Sequence, residues 1–260
     1  MLVDTHCHLT ADAFDPDRVA VVERARDAGV GGIIIIASDL GDALQAQAVV
    51  TDFPSVGVRL FTTAGVHPHQ VGKAEPEDEA RLSELLGTPG VVAVGECGLD
   101  FHYDFAPREV QFRWFERQLR LAGDADLPVV VHCREAEEEM IPRVKEAGDA
   151  GVRGVLHCFP GDLRLLETAL EAGWSVSFTG IVTFRNFQGA EAVRTVPAGR
   201  YFLETDGPYL APVPRRGKRN EPAYLPLIRD RVAELRAESP EKVEADSTAA
   251  ARAFFRLPSF

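Results

Sequence analysis

Two histidines one residue apart, His6 and His8, stand at the end of the first apolar run of the sequence, Leu2 to Thr5. In an extended strand the side-chain period of two sends both imidazoles to one face together with Asp4, while Thr5 and Cys7 go to the other. Two neutral imidazoles so placed can reach one divalent ion of the zinc, manganese or iron type. A His-x-His pair also occurs at strand ends with no metal, so the question is whether other parts of the chain bring ligands to the same place.

Further along, the segments Gly65-Val-His-Pro-His69, Gly95-Glu-Cys-Gly-Leu-Asp100, Val131-His-Cys-Arg134, Leu156-His-Cys-Phe159 and Leu203-Glu-Thr-Asp206 each end an apolar run on ligand-type residues. All seven histidines, at 6, 8, 67, 69, 102, 132 and 157, fall at or just past such ends, and none falls inside a predicted helix. A lone histidine there is more often a hydrogen-bonded structural residue than a ligand. Ligand types arriving from five strand ends reverse that balance. Such an inventory suffices for two divalent ions about 3.5–4 Å apart, bridged by one carboxylate and sharing a water made acidic enough to attack.

The elements that must position these residues alternate. Eight apolar runs, Leu2–Thr5, Gly32–Ala37, Leu60–Gly65, Val91–Gly95, Pro128–Val131, Gly154–Leu156, Trp174–Phe178 and Tyr201–Leu203, read as short strands. Between and after them, helical spacing and start signals cover Pro16–Ala28, Asp39–Thr51, Glu75–Leu86, Pro107–Ala122, Glu135–Ala147, Asp162–Ala172, Ala190–Val196 and Glu221–Arg236, with a last helix over Pro240–Phe255. Short strands rich in Val and Ile, bounded by glycine and alternating with helices, predict parallel pairing with helices covering the sheet. Eight such units in 260 residues predict an α/β fold of the (β/α)8 TIM-barrel type, with the active site at the C-terminal ends of the strands. A doubly wound open sheet would need a glycine-rich phosphate turn after its first strand, where His6-Cys-His8 stands instead. No linker or low-complexity stretch interrupts the pattern, so residues 1–260 are expected to form one domain.

Composition narrows the class. With 45% hydrophobic and 26% charged residues the chain is an ordinary globular protein, and its longest aliphatic run, Ile33–Ile36, is far too short to span a bilayer. No basic segment followed by an apolar stretch marks a secretory signal, so a cytoplasmic location is expected. The cysteines at 7, 97, 133 and 158 lack C-x-x-C spacing, and each directly follows a candidate ligand. In strands they should therefore face away from the ligands, into the packing layer behind. Glu135 and Glu137–Glu139 suit the first turn of a helix and are assigned no chemistry. A net charge of -12 excludes a surface wrapped all over by nucleic acid but leaves room for a local site served by the basic run Arg215-Arg-Gly-Lys-Arg219.

Taken together, Asp4-Thr-His-Cys-His-Leu9, Gly65-Val-His-Pro-His69, Gly95-Glu-Cys-Gly-Leu-Asp100, Pro128-Val-Val-Val-His-Cys-Arg134, His157-Cys-Phe-Pro-Gly161, Leu203-Glu-Thr-Asp206 and Arg219-Asn-Glu-Pro222 resemble the TatD family of metal-dependent deoxyribonucleases, one branch of the amidohydrolase-like barrels. The resemblance covers essentially the whole chain. It implies two divalent ions (Mg, Mn or Zn): His6, His8 and Asp206 would hold one, His132 and His157 the other, and Glu96 would bridge them. It places His67 and the segment Lys218, Arg219 and Asn220 near a substrate phosphate, and Glu204 in an outer-sphere or substrate role. Two positions depart from the family pattern: Gly207 follows Asp206 where a serine is usual, and the last helix reads Ser247-Thr-Ala-Ala-Ala-Arg-Ala-Phe-Phe255 without the usual asparagine.

The expected activity is hydrolysis of DNA phosphodiesters, exonucleolytic on single-stranded ends, with Glu96 bridging and Asp206 taking a proton from the attacking water. Phe101, Tyr103, Phe159, Phe184 and Tyr209 lie where they could stack on unpaired bases, although packing is the commoner fate of such rings. The same barrel could instead hydrolyse a small cyclic amide, lactone or phosphotriester, or serve as a non-catalytic metal-binding scaffold. The basic run argues for the polyanion, and the complete ligand set argues against a vestigial site. DNA, preferably single-stranded, is the expected partner, with no membrane.

Overall fold

Each apolar run is followed by a helix that carries the chain back, so successive strands enter the sheet in the same direction. In the computed structural model, which describes residues 1–54, 56–103 and 105–259, the strands are β1 (Leu2–Cys7), β2 (Val30–Ile35), β3 (Arg59–Ala64), β4 (Val91–Asp100), β5 (Val129–Arg134), β6 (Gly154–Leu156), β7 (Ser175–Phe178) and β8 (Tyr201–Leu203). They pair in parallel and in sequence order. The two ends of the sheet meet at the top: the Asp206 N–H donates to the His6 carbonyl and the His8 N–H to the Gly207 carbonyl, both at 2.8 Å, around a Cys7–Gly207 bridge. This is the (β/α)8 barrel that the alternation predicts.

The helices are α1 (Arg18–Asp27), α2 (Leu40–Asp52), α3 (Asp78–Leu86), α4 (Arg108–Ala125), α5 (Glu137–Asp149), α6 (Leu163–Glu171), α7 (Ala190–Thr195), α8 (Leu225–Arg236) and α9 (Pro240–Phe254). Their starts carry the expected signals: the side chains of Asp39, Asp162 and Ser239 accept from backbone N–H groups three residues on. Two apolar layers result. Outward-facing strand residues such as Ile33, Ile35, Val131 and Leu203 pack on the helices, beside Val22, Val144 and Ile228. Inward-facing Val3, Ile34, Val130, Val155 and Phe202 fill the barrel, and Ala250, Ala251 and Phe255 at the end of α9 plug its floor. Chemistry is thereby confined to the opposite end.

Simple alternation fails at two strands, and both failures aim a ligand. Along β1, Asp4 pairs with Ile33 and Cys7 with Ile35, so Thr5 and His6 together face the single residue Ile34. Along β4, Val94 pairs with Val129 and Cys97 with Val131, so Gly95 and Glu96 together face Val130. Each is a bulge, which adds a residue and resets the face taken by the residues after it. Asp4 therefore lies on the outer side against Thr205, whereas Thr5 points inward at Glu204, the reverse of the expected arrangement. His6 is nevertheless turned inward by the bulge. The β4 chain also runs so close to β5 that a Cβ on Gly98, at φ +131°, would lie 2.1 Å from the His132 carbonyl oxygen, which only glycine permits. β1, β4 and β5 all extend beyond their expected ends, so that His6, Glu96 and His132 belong to the strands themselves.

Asp4 ties β1 to the segment after β8. Its carboxyl accepts from the Thr205 N–H at 2.9 Å and the Thr205 hydroxyl at 2.5 Å, and burial pushes its pKa up to about 7. A carboxyl raised in the folded state above its ordinary 3.8 costs stability as pH climbs between those values. Asp4→Asn, which keeps the shape and an acceptor, should change the unfolding free energy by less than about 1 kcal/mol at neutral pH. Asp4→Ala strands the buried Thr205 groups and should cost about 1–3 kcal/mol. Urea denaturation at pH 8 and pH 5 checks both, with the native protein gaining on the Asn variant at the lower pH.

Candidate metal centre

At the open end of the barrel Glu96 is buried, with its two oxygens facing different sets of imidazoles. Oε2 lies 3.3 Å from His6 Nε2 and 3.8 Å from His8 Nε2. Asp206 Oδ1 completes this group at 3.6 Å from His6 Nε2 and 3.5 Å from His8 Nε2, while the two nitrogens are 3.3 Å apart. Oε1 lies 3.1 Å from His132 Nδ1, 3.4 Å from His157 Nε2 and 3.5 Å from His67 Nε2. Donors held about 2.1 Å from a small divalent ion in a tetrahedron stand about 3.4 Å from each other, which is the spacing seen in both groups. Two imidazole nitrogens facing each other beside two carboxylate oxygens suit a shared cation, whether a proton on a ring or a metal ion.

Partners at the far side of each ring decide which nitrogen is offered. His157 Nδ1 donates to Glu204 at 3.1 Å, leaving Nε2 for the centre. His132 Nε2 donates to Asp100 at 2.8 Å, leaving Nδ1. Such carboxylate–imidazole pairs orient metal-binding histidines. His67 is different, because its Nδ1 accepts from the His69 N–H at 3.1 Å and its Nε2 therefore carries the proton. It enters the centre as a hydrogen-bond donor. His6 stacks on His157 with ring centroids 3.8 Å apart, and its Nδ1 is buried without a hydrogen-bond partner.

The charges are strongly coupled. Burial works against the ionised form of Glu96, but His157, His67, His6 and His132 together hold its carboxyl well below the usual range. Asp206 is held down in the same way by His8, His157 and His6, against burial. Burial likewise opposes a proton on His157, yet Glu96, Glu204 and Asp206 raise its pKa to about 10. His67 goes the other way, burial lowering it to about 4, so it is neutral at pH 7.

The expected site residues therefore separate. His6, His8, His67, Glu96, His132, His157 and Asp206 converge on one cluster. Glu204 is buried behind it, bound to His157 Nδ1 and to the Cys158 N–H at 2.8 Å, which gives it an orienting place and no face toward the cleft. Arg219 forks onto Asp17 at 2.7 and 2.9 Å, and the buried Asn220 amide donates to the carbonyls of Thr205 at 2.7 Å and Tyr209 at 2.6 Å. These two residues are engaged within the protein and shape the loop that carries Asp206. Lys218, Arg215 and Arg216 are exposed, with the Arg216 guanidinium 3.8 Å over the Phe184 ring. His102 stays at the rim, paired with Glu135.

Sequence reading passed over His69 and Asp100. Both lie in the ligand-bearing motifs, and one Asp100 oxygen takes hydrogen bonds from His69 and from His132, each at 2.8 Å. The usable signal was their spacing: Glu96, Gly98 and Asp100 share one face of a strand that continues five residues beyond its expected end at Gly95. Cys158 also departs from expectation. Cys7 and Cys97 pack outward, and Cys133 lies against the helix layer, but Cys158 follows the end of β6 with φ at +49°, outside any strand alternation. Its thiol meets Thr179 Oγ1 at 3.1 Å and lies in the field of Asp206 and Glu204. The glycine at 207 has little bearing on the cleft, since a Cβ there would face Asn220 O and Cys7 Sγ, both 3.4 Å away.

A (β/α)8 barrel with imidazoles and carboxylates gathered at the C-terminal ends of its strands defines a class of metal-dependent hydrolases. Residues 3–256 match the family described as TatD related DNase, and the chain belongs to it. It is 39% identical to the 3'-5' ssDNA/RNA exonuclease TatD of Erwinia billingiae, over 99% of this chain and 100% of that one. It is 35% identical to the uncharacterized metal-dependent hydrolase YabD of Bacillus subtilis, with 99% and 100% covered. Among solved structures, the TatD homologue YjjV of Escherichia coli superposes with a TM-score of 0.91 at 28% identity, covering 99% of this chain and 98% of that one.

All four cysteines are unpaired, and burial, reinforced by neighbouring carboxylates, raises each thiol above its ordinary value of 9.0. Thiolate is the reactive form. A disulfide reagent at pH 7.5 should therefore label the native protein slowly, in hours, and the urea-unfolded protein at four sites within minutes. Rapid labelling of the native protein at Cys158, located by peptide mapping to distinguish it from the half-buried Cys133, would show that the Cys158 side of the cleft opens to solvent.

Proposed function

We propose that this protein is a divalent-metal-dependent exonuclease that removes nucleotides from the 3' end of single-stranded DNA, with two ions held by one cluster. The observation that carries the reading is the split of the Glu96 carboxylate between two donor groups. His6, His8, Asp206 and Glu96 Oε2 would hold one ion; His132 Nδ1, His157 Nε2 and Glu96 Oε1 would hold the other. When bound, the pair would neutralise the phosphodiester charge and make a water acidic enough to attack at neutral pH.

The side chains supply the rest. Asp206 is ionised and borders the first donor group, so it can orient a water molecule and accept its proton. His67, neutral with its proton on Nε2, can donate to a phosphate oxygen without leaving a second buried charge. Arg215, Arg216 and Lys218 place cations in the segment that follows Asp206, on a protein whose overall net charge is -12. The polarity and the single-stranded substrate follow the Erwinia relative, and the four unpaired thiols suit a reducing cytoplasm. No helix among the described residues is long and apolar enough to cross a membrane.

Glu96→Ala should abolish turnover and lower the metal content from two ions per chain to one or none, since the variant leaves two cations facing each other without a bridge. Elemental analysis after gel filtration, together with digestion of 5'-labelled single-stranded and duplex oligonucleotides, tests this. Unchanged metal content and activity would refute the bridged pair. Metal-dependent hydrolysis of a lactone or cyclic amide, with no oligonucleotide cleavage, would make the protein a small-molecule hydrolase. Asp100→Asn, which puts a neutral amide where the carboxylate holds His132 and His69, should weaken metal affinity about 10- to 100-fold with the fold intact.

A further inference from the structure

Aromatic side chains in this chain are nearly all packed. Phe159 is fully buried, Phe101 lies edge-on to Phe112 beneath the Arg108 guanidinium, and Phe184 sits under Arg216. Among the described residues the exposed aromatics are Tyr103, Phe105 and Tyr209, at 40%, 63% and 56% exposure. All three stand against imidazoles in or beside the centre. Tyr209 meets His8 with ring centroids 5.8 Å apart, and Tyr103 and Phe105 meet His69 at 5.4 and 4.8 Å. Scattered exposed rings need no explanation, but three confined to one rim do.

The rings occupy opposite flanks. Tyr209 borders the group of His6, His8 and Asp206, whereas Tyr103 and Phe105 border His69, which shares Asp100 with His132 on the other side of Glu96. Tyr103 and Phe105 are stacked at 5.2 Å with 14° between their planes, and Arg134 lies 4.8 Å over Tyr103, so this flank is a pre-set platform. Flat faces on either side of a centre that takes a phosphodiester match the two bases joined through that phosphate. A base can offer its face only when it leaves the stack, which pairing in a duplex opposes, and every base has one.

We propose that Tyr103 with Phe105 and Tyr209 form two base-stacking subsites flanking the scissile phosphodiester, which makes two unpaired nucleotides of any sequence the minimal unit recognised. The proposal rests on the nuclease reading above. It explains single-strand selection by the rim of the barrel, since a paired terminus cannot spread its last two bases onto both flanks.

The test uses the intact metal-loaded protein and 5'-labelled single-stranded oligonucleotides that carry either normal bases or a tetrahydrofuran abasic residue at the terminal or penultimate 3' position. Phe105→Ala and Tyr209→Ala should each lower kcat/KM on the normal oligonucleotide about tenfold. Each should show no further loss when the base missing from the substrate is the one its ring would have held, whereas Tyr209→Phe should retain normal rates. Circular dichroism and metal content establish that the variants are folded and loaded. Equal fractional losses on normal and abasic substrates, or no loss at all, would overturn the subsites while leaving the nuclease intact. Failure of the native, metal-loaded protein to cut any oligonucleotide would overturn the nuclease reading and the subsites with it.

Discussion

A buried carboxylate surrounded by imidazoles is the constraint on which this structure depends. Glu96 is 2% exposed, and an ionised group so placed is stable only with compensating charge and hydrogen bonds on every side. His6, His8, His67, His132 and His157 supply them from four other places in the chain. Each ring has a further partner or a packing neighbour that fixes its direction, so the demand of one carboxylate propagates outward to Glu204, Asp100 and the strands that carry them. With both oxygens of Glu96 engaged, the centre is two adjoining halves with a common wall.

The barrel meets this demand by local departures from regularity. A uniform β1 would turn His6 outward, as the pairing of Asp4 with Ile33 shows, and a uniform β4 would turn Glu96 away from the cluster. One extra residue in each strand corrects the direction. The bulges can be accommodated because the other end of the barrel is packed tightly by Phe202, Val130 and the plug from α9, which keeps the strands in register below the irregular region. Rigidity at the floor and irregularity at the mouth are complementary parts of one arrangement.

Recognition is divided between charge and flat surface. The centre itself is rich in carboxylates, and the protein as a whole is acidic, so attraction of a polyanion must be local. Arg219, which looks like a phosphate contact by position, is already committed to Asp17, while Arg215, Arg216 and Lys218 remain outside. Exposed rings at the rim add an attraction that salt does not screen, which suits a protein with few free cations at its mouth.

The strands and helices could be read from apolar runs, glycines and helix-start residues, because those signals are local and their alternation admits few topologies. The ligand types were also legible: His6-Cys-His8, Glu96, His132, His157 and Asp206 all fall where strands end. What the sequence could not determine was direction. A period of two predicts the wrong side for Asp4 and Thr5, since a bulge depends on pairing with a neighbouring strand and leaves no mark of its own in β1. Nor could spacing separate Lys218, which is exposed, from Arg219 and Asn220, which are held by Asp17, Thr205 and Tyr209. Those partners are distant in sequence or belong to a folded loop, and the roles of Asp100, His69 and the exposed rings were likewise decided only when tertiary packing brought their neighbours together.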